Sequence, residues 1–433
     1  MKFVDKAILV VVDPRDADEA EANTQELRLL LSSAGVGVVD EMHVRRGSPN
    51  PRYFIGKGNA EDVYVRVQDR EAGVVVVGED LSPTQQRNLE DAATVQVVDR
   101  TQLILDIFAQ RAHTSEGKLQ VELAQLQYLL PRLTGKGVEM SRVGGGSAGG
   151  IATRGPGETK LETDRRRVRT RIANLKDELE AVVKHRAVQH KARRNLQVPS
   201  SALVGYTSAG KSALLNLLTG SEVKVHAKLF ATLDPTTRRV EFDGGPSIML
   251  SDTVGFIRDL PHHLIAAFRS TLEEVVDADF LIHVVDAAHR HANRRRESVR
   301  EVLEELGAAD KPTITVFNKS DLLRDQYELR HLVATTENSC YMSALTGDGL
   351  SYLVDLIRKI VSQMMPRTRA VLPYDRGDLV ALCHERGRVI ATEYRPEGIY
   401  IEAELSPDLA AQVAAHALDG SDAQESGPDW SKC

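Results

Sequence analysis

Gly205, Gly210, Lys211 and Ser212 stand at G-x-x-x-x-G-K-S spacing within "SALVGYTSAGKSALLNLLTG". An apolar strand-like run precedes them and a helical pattern follows, which is the context a phosphate-binding loop requires. Glycines let the backbone amides of Tyr206, Thr207, Ser208 and Ala209 close around phosphate oxygens, and the helix N-terminus adds partial positive charge. Lys211 would bridge the outer phosphates as a point charge. The Ser212 hydroxyl would ligate Mg²⁺.

Three further segments follow in order, each after a strand-like run. Asp252-Thr253-Val254-Gly255 comes after "SIML"; Asp252 would hold the metal through water, and the Gly255 amide would meet a γ-phosphate. Asn318-Lys319-Ser320-Asp321 comes after "TITVF". A carboxylate at position 321 can accept two hydrogen bonds from guanine's ring N–H and amino group. Adenine offers neither donor on that edge, and hydrogen-bonding sites of this sort discriminate by about 10⁴. Asn318 would hold the loops together and the Lys319 stem would cover the base. Ser343-Ala344, after "SCYM", would bring backbone to the guanine oxygen. Between the first two segments lies "KLFATLDPTTRRV", read as a loop. Its Phe230, Ala231, Thr232 and Leu233 are the candidate switch, with Thr232 completing the Mg²⁺ shell while a γ-phosphate is present.

Phe256 occupies the position where many nucleotide hydrolases carry a water-orienting glutamine. A phenyl ring orients no water, so intrinsic hydrolysis should be slow and await a partner's contribution.

The elements that must position these groups divide the 433 residues into several parts, as length alone suggests. Residues 1–100 alternate apolar runs ("AILVVVD", "GVVVVGED", "VQVVDR") with helical patterns, an α/β domain. Residues 101–197 read as a helical hairpin with seams at Leu119, Leu123, Leu126, Leu130 and at Leu161, Val168, Ile172, Leu175, Leu179, Val182. Pro131 ends or kinks the first helix, and Thr159 with Glu162 forms a capping-box pattern at the start of the second. Between the helices, "TGKGVEMSRVGGGSAGGIATRGPGETK" would sit at the far tip of an arm about 50 Å long. Lys136, Arg142, Arg154 and Lys160 make that loop cationic, which suits folded RNA. Residues 198–365 form the P-loop domain, a mostly parallel sheet with flanking helices. "MMPRTR" reads as a linker, 370–418 as a small α+β domain and 419–433 as a disordered tail. The fold class is therefore multi-domain α/β.

Composition narrows the function classes. A net charge of −7 argues against a generic nucleic-acid coat, although residues 165–194 are strongly basic. Cys340, Cys383 and Cys433 are too scattered for a disulfide framework or zinc cluster. His262-His263 and His289 with His291 lack carboxylates or cysteines at ligand spacing, so no metal is assigned to them. No apolar run approaches the ~18 residues of a membrane span, and the cytoplasm is the default compartment. Two competing readings stay open on residues alone. One is an RNA-docking protein whose affinity is gated by nucleotide; the other is a nucleotide-linked metabolic enzyme using the N-terminal domain.

The chain resembles the HflX family of bacterial ribosome-associated GTPases. The resemblance rests on "PNPRYFIGKGNAEDV", "LSPTQQRNLED", "VVDRTQLILDIFAQRAHTSEGKLQVELAQL", "RGPGETKLETDRRR", "LFATLDPTTRRVEF" and "DTVGFIRDLPHHLIAAFRSTLEE". It implies a two-part N-terminal region, a GTPase domain and a small C-terminal domain, with an apolar replacement for the glutamine. It further implies GTP and GDP as ligands, binding to the large ribosomal subunit and its rRNA, and splitting or rescue of stalled ribosomes. The arm tip would approach the peptidyl-transferase centre, making Arg154 and its basic neighbours rRNA contacts. A monomer is expected. Ser208 departs from the asparagine that many members use to help bind potassium, and Ala213 is a smaller departure.

Overall fold

The computed structural model describes residues 6–13, 17–45, 49–133, 160–194, 198–220, 229–230, 235–242, 247–258, 272–323, 326–365 and 367–418. Two compact units emerge. The first comprises 1–184, 226–234 and 259–271; the second comprises 185–225, 235–258 and 272–433.

In the first unit β1 (Lys6–Asp13), β2 (Gly37–Arg45), β3 (Val74–Val77) and β4 (Gln96–Val98) form a parallel sheet in the order β2-β1-β3-β4. The valine and isoleucine runs of β1 and β3 are buried on both faces, as parallel strands covered by helices must be. Helices α1 (Ala17–Ala34), α2 (Lys57–Arg70), α3 (Pro83–Ala93) and α4 (Arg100–Arg111) supply that cover. Strand β2 is absent from the sequence reading. Its "GVVDEMHVR" mixes exposed and half-buried positions because it is the sheet edge, and such a run carries no clean apolar signal.

Two helices lie in the region read as a hairpin, and the leucine seam of the first is corrected. Helix α5 (Ser115–Leu129) ends in a 3-10 turn at Leu130–Arg132, the break expected at Pro131. Its most buried residues are Gly117, Gln120, Val121, Leu123, Ala124 and Tyr128; Leu119, Leu126 and Leu130 are only half-buried. The leucine seam is therefore the shallower side of a helix buried on a second face. Helix α6 (Lys160–Arg194) runs antiparallel to it. Val168 and Leu175 are buried, and Arg171 makes a bidentate pair with Glu122 at 2.8 Å. Thr159 of the expected capping box lies outside the described residues.

The end of the first helix is anchored to the sheet. Arg132 donates to Gln86 Oε1 (2.8 Å), the Leu81 carbonyl (2.7 Å) and the Asp99 carboxylate (3.0 Å), and its guanidinium lies 3.5 Å over the Tyr128 ring. Arg165 of α6 donates to the Leu133 carbonyl at 3.1 Å. Leu81 and Asp99 follow β3 and β4, so Arg132 is held beside the carboxyl edge of the sheet, while the loop that follows Leu133 lies outside the described residues. Buried multidentate arginine pairs of this kind hold a backbone position tightly.

In the second unit six strands take the order β10-β9-β8-β5-β7-β6. They are β5 (Ser200–Gly205), β6 (Thr236–Val240), β7 (Ile248–Asp252), β8 (Phe280–Asp286), β9 (Thr313–Asn318) and β10 (Ser339–Tyr341). All pairings are parallel except β6 with β7. The latter half of "KLFATLDPTTRRV" is thus an edge strand where a loop was expected, its two exposed arginines masking the pattern. Helices α7 (Lys211–Thr219), α8 (Glu273–Asp277), α9 (Ala292–Glu305), α10 (Gln326–Ala334) and α11 (Leu350–Met364) accompany the sheet. Leu214, Leu215, Leu353, Ile357 and Ile360 from α7 and α11 pack with Leu203, Ile282 and Val316 of the strands in one core.

"MMPRTR" is not a linker, since α11 reaches Met364 and β11 (Arg367–Leu372) begins two residues after Met365. Strands β11, β12 (Arg388–Arg395) and β13 (Gly398–Glu404) make an antiparallel sheet in the order β11-β13-β12. Helices α12 (Gly377–Arg386) and α13 (Pro407–Ala415) join it, and Leu379, Cys383, Leu409 and Val413 share its core. Burial pushes the Cys340 thiol up to about 12 and the Cys383 thiol up to about 11, which makes both poor nucleophiles.

Candidate functional site

Parallel strands deliver the four motifs to one sheet edge. Segment 205–212 leaves β5, 252–255 leaves β7, 318–321 leaves β9 and 343–344 follows β10. Ligands of open α/β sheets bind outside the carboxyl ends of the strands, and the motifs gather there.

Two glycines of the first loop have no substitute. Gly205 has φ +152°, and a Cβ on it would lie 2.3 Å from the Val284 carbonyl oxygen. Gly210 has φ +102°, and its Cβ would lie 2.2 Å from Asn318 Nδ2. That close approach exists because Asn318 ties the motifs together. Its Nδ2 donates to the Ala209 carbonyl (2.8 Å), and its Oδ1 accepts from the Ala344 amide (2.9 Å). Asn318 is buried, so removing it leaves a buried carbonyl and a half-buried amide unpaired. Asn318→Ala is expected to cost about 2–4 kcal/mol across the two loops. Hydrogen exchange should report it as lost protection at residues 205–212 and 343–349; unchanged protection in both would contradict the assignment.

Lys211 is buried, and its Nζ donates to the carbonyls of Gly205 (3.0 Å) and Tyr206 (3.1 Å). Burial pushes its ammonium down to about 8, opposed by the charge of Asp252. Ser212 Oγ donates to Asp252 Oδ2 at 2.6 Å. Thr253, by contrast, spends its hydroxyl on the Leu203 carbonyl at 2.6 Å. Ser208 sits in the left-handed region at φ +61° and is exposed.

The turn expected to recognise the base is a short 3-10 segment, Ser320–Leu322. Lys319 enters it in the left-handed conformation (φ +65°), with its Nζ 2.7 Å from Asp286 Oδ2. The Ser320 amide donates to the Met342 carbonyl at 3.1 Å. Asp321 is exposed on this braced turn, and Ser343 is buried.

Phe256 is withdrawn from the loop mouth. It is 2% exposed and forms an isolated parallel bridge with Tyr206. Its amide donates to the Gly205 carbonyl (3.1 Å), and its carbonyl accepts from the Thr207 amide (2.7 Å). The residue in the glutamine position thus zips the second motif to the first. Sequence reasoning missed the companion role of Tyr206. Its hydroxyl accepts from the Arg258 amide at 2.8 Å, and the Arg295 guanidinium lies 4.4 Å from its ring centroid. No periodic signal links positions 206, 258 and 295.

Other expected site residues fall elsewhere. Phe230 belongs to the first unit: its ring meets Phe108 edge-on at 4.6 Å, and the Leu229 amide donates to Ser33 Oγ at 2.9 Å. Ala231, Thr232 and Leu233 lie outside the described residues, as do Lys136, Arg142 and Arg154. Lys160 is the first residue of α6.

Fold and motifs together define a P-loop GTPase, an enzyme that hydrolyses GTP. Four family models match in succession: the GTP-binding GTPase N-terminal model (21–109), the GTP-binding GTPase middle region (111–193), the 50S ribosome-binding GTPase (200–319) and the HflX C-terminal domain (328–427). The GTPase HflX of Lacrimispora saccharolytica is 44% identical over 413 residues, covering 95% of this chain and 96% of that protein. The GTPase HflX of Escherichia coli is 44% identical over 363 residues, covering 84% of each. A crystal structure of a GTP-binding protein from the hyperthermophilic archaeon Sulfolobus solfataricus in complex with GDP is 27% identical, covering 83% of this chain and 99% of that chain, with a TM-score of 0.46. The chain belongs to the GTPase HflX family.

Proposed function

We propose that this GTPase binds the large ribosomal subunit in its GTP state, splits or rescues stalled ribosomes, and is released when the subunit stimulates hydrolysis. The observation that carries the reading is the phosphate loop paired to a buried Phe256: a complete nucleotide cradle with no water-orienting side chain at that position. Such a site holds GTP until another molecule completes it.

In this reading residues 205–212 cradle the phosphates, and 252–255 meet the γ-phosphate. Lys211 neutralises charge between the outer phosphates. Asp321 and the 343–344 backbone read guanine, and Asn318 and Lys319 support them. The Ser212 hydroxyl and the Asp252 carboxylate, 2.6 Å apart, are hard oxygen donors of the type Mg²⁺ prefers. Ser212 would hold the ion directly and Asp252 through water, with Thr232 joining when the switch is ordered. The ion supplies charge neutralisation on the β- and γ-phosphate oxygens. The cationic segment with Lys136, Arg142, Arg154 and Lys160 is assigned to rRNA, where each neutralised phosphate adds salt-dependent affinity. No helix among the described residues is long and apolar enough to cross a membrane. A monomer acting in the cytoplasm is the working assignment.

Pelleting with purified large subunits tests the docking. Binding should be at least about tenfold tighter with a non-hydrolysable GTP analogue than with GDP. Neutralising Lys136, Arg142 and Arg154 together should weaken it while leaving GTP affinity intact. Equal pelleting in both nucleotide states, or an indifferent triple variant, would reject the assignment.

A further inference from the structure

The segment that follows Asp252-Thr253-Val254-Gly255 is seated on the phosphate loop by three hydrogen bonds in succession. The Phe256 amide donates to the Gly205 carbonyl (3.1 Å), the Thr207 amide donates to the Phe256 carbonyl (2.7 Å), and the Arg258 amide donates to Tyr206 Oη (2.8 Å). The first two join backbone to backbone and do not depend on the side chains there. The third needs a phenol, and it extends the seat two residues past Phe256. Tyr206 is 5% exposed. The Arg295 guanidinium of α9 lies 4.4 Å from its ring centroid, an attraction that holds the ring carrying the hydroxyl.

Seating presses Gly255 against the loop. A Cβ placed on Gly255 would lie 2.9 Å from Thr207 Cα and Cγ2, and 3.0 Å from Lys211 Nζ. That face is full. In the proposed nucleotide site, however, a γ-phosphate has to reach both Lys211 Nζ and the Gly255 amide. Where a single carbon finds no space between Gly255 and Lys211, a phosphate finds none either. GTP is accommodated there only if residues 255–258 lift from the loop. GDP, which has no γ-phosphate, makes no such demand.

We infer that Tyr206 is a positioning residue that biases this GTPase toward GDP: its hydroxyl holds residues 255–258 down on the phosphate loop, a bond that GTP has to break and GDP does not. The inference rests on the proposed roles of 205–212 and 252–255 and does not depend on the ribosomal partner. A ligand that binds one of two conformations loses apparent affinity in proportion to the fraction of molecules in the other. The seated segment therefore weakens GTP by that factor and leaves GDP untouched by it. Once phosphate has left after hydrolysis, the bond to Tyr206 favours reseating.

Tyr206→Phe removes the hydroxyl alone and keeps the ring that faces Arg295. Two measurements, both without ribosomes, test the inference. Calorimetry gives the affinities of the native chain and of Tyr206→Phe for GDP and for a non-hydrolysable GTP analogue. Because a net hydrogen bond is worth about three- to tenfold in an equilibrium, the analogue-to-GDP affinity ratio should rise by about that factor in the variant. Hydrogen exchange of the native chain should be faster across 255–258 with the analogue bound than with GDP bound. A ratio that falls, or stays within about twofold of native, would overturn the inference. So would weakening of both nucleotides by the same factor, which is what a merely structural tyrosine would give, or equal exchange across 255–258 in the two nucleotide states. Failure of the native chain to bind GDP would overturn the phosphate-loop assignment itself, and the inference with it.

Discussion

Asp321→Asn should lower GTP affinity by about 10³-fold or more and leave a chain that prefers xanthosine triphosphate. A carboxylate accepts from both guanine donors, the ring N–H and the exocyclic amino group. An asparagine presents one acceptor and one donor, so its amide faces the guanine amino group donor to donor. A desolvated mismatch of that kind forfeits a charge-assisted hydrogen bond and leaves a group unpaired, and polar recognition sites discriminate on this scale. Xanthine carries a carbonyl where guanine carries the amino group, which restores a donor–acceptor pair with asparagine. The turn that presents position 321 is braced independently of the substitution. Lys319 is held by Asp286 at 2.7 Å, the Ser320 amide by Met342 at 3.1 Å, and Asn318 by two further bonds. Loss of selectivity without loss of folding is therefore the expected phenotype. Calorimetric titration with GTP, xanthosine triphosphate and ATP reads it directly. Comparable ATP uptake by the native chain, or no change on substitution, would remove guanine recognition from Asp321.

Much of the site was legible because each motif carries its chemistry in consecutive residues. Gly205, Gly210, Lys211 and Ser212 announce a loop by spacing, and Asn318 announces a clamp by its place after a strand. Contacts that join distant segments were not legible. Tyr206 meets Arg258 and Arg295 through a hydroxyl and a ring face, and no local pattern encodes such a meeting. The same holds for the fold. Buried strands such as β1, β3 and β9 read plainly, whereas the edge strands β2 and β6 did not, because half their side chains face away from the core. For α5 the leucine seam pointed to the half-buried side, while Gln120 and Tyr128, polar by type, are buried. Periodicity registers apolar residues, and this helix is buried on a face that includes polar ones.

Phe256 sets the largest expected effect. With its ring 2% exposed and its backbone bonded to Gly205 and Thr207, it brings no hydrogen-bonding side chain to an attacking water. Phosphoryl transfer gains most of its rate from positioning and charge neutralisation, and a group supplied by a partner is worth about 10³–10⁵ in such reactions. The free chain should hydrolyse GTP slowly, and the partner should supply the missing factor. Steady-state GTP turnover, with and without purified large ribosomal subunits, measures that factor in one comparison. The account predicts a low basal rate that rises by at least about 10²-fold on adding the subunits; a rate that the subunits leave unchanged would contradict it.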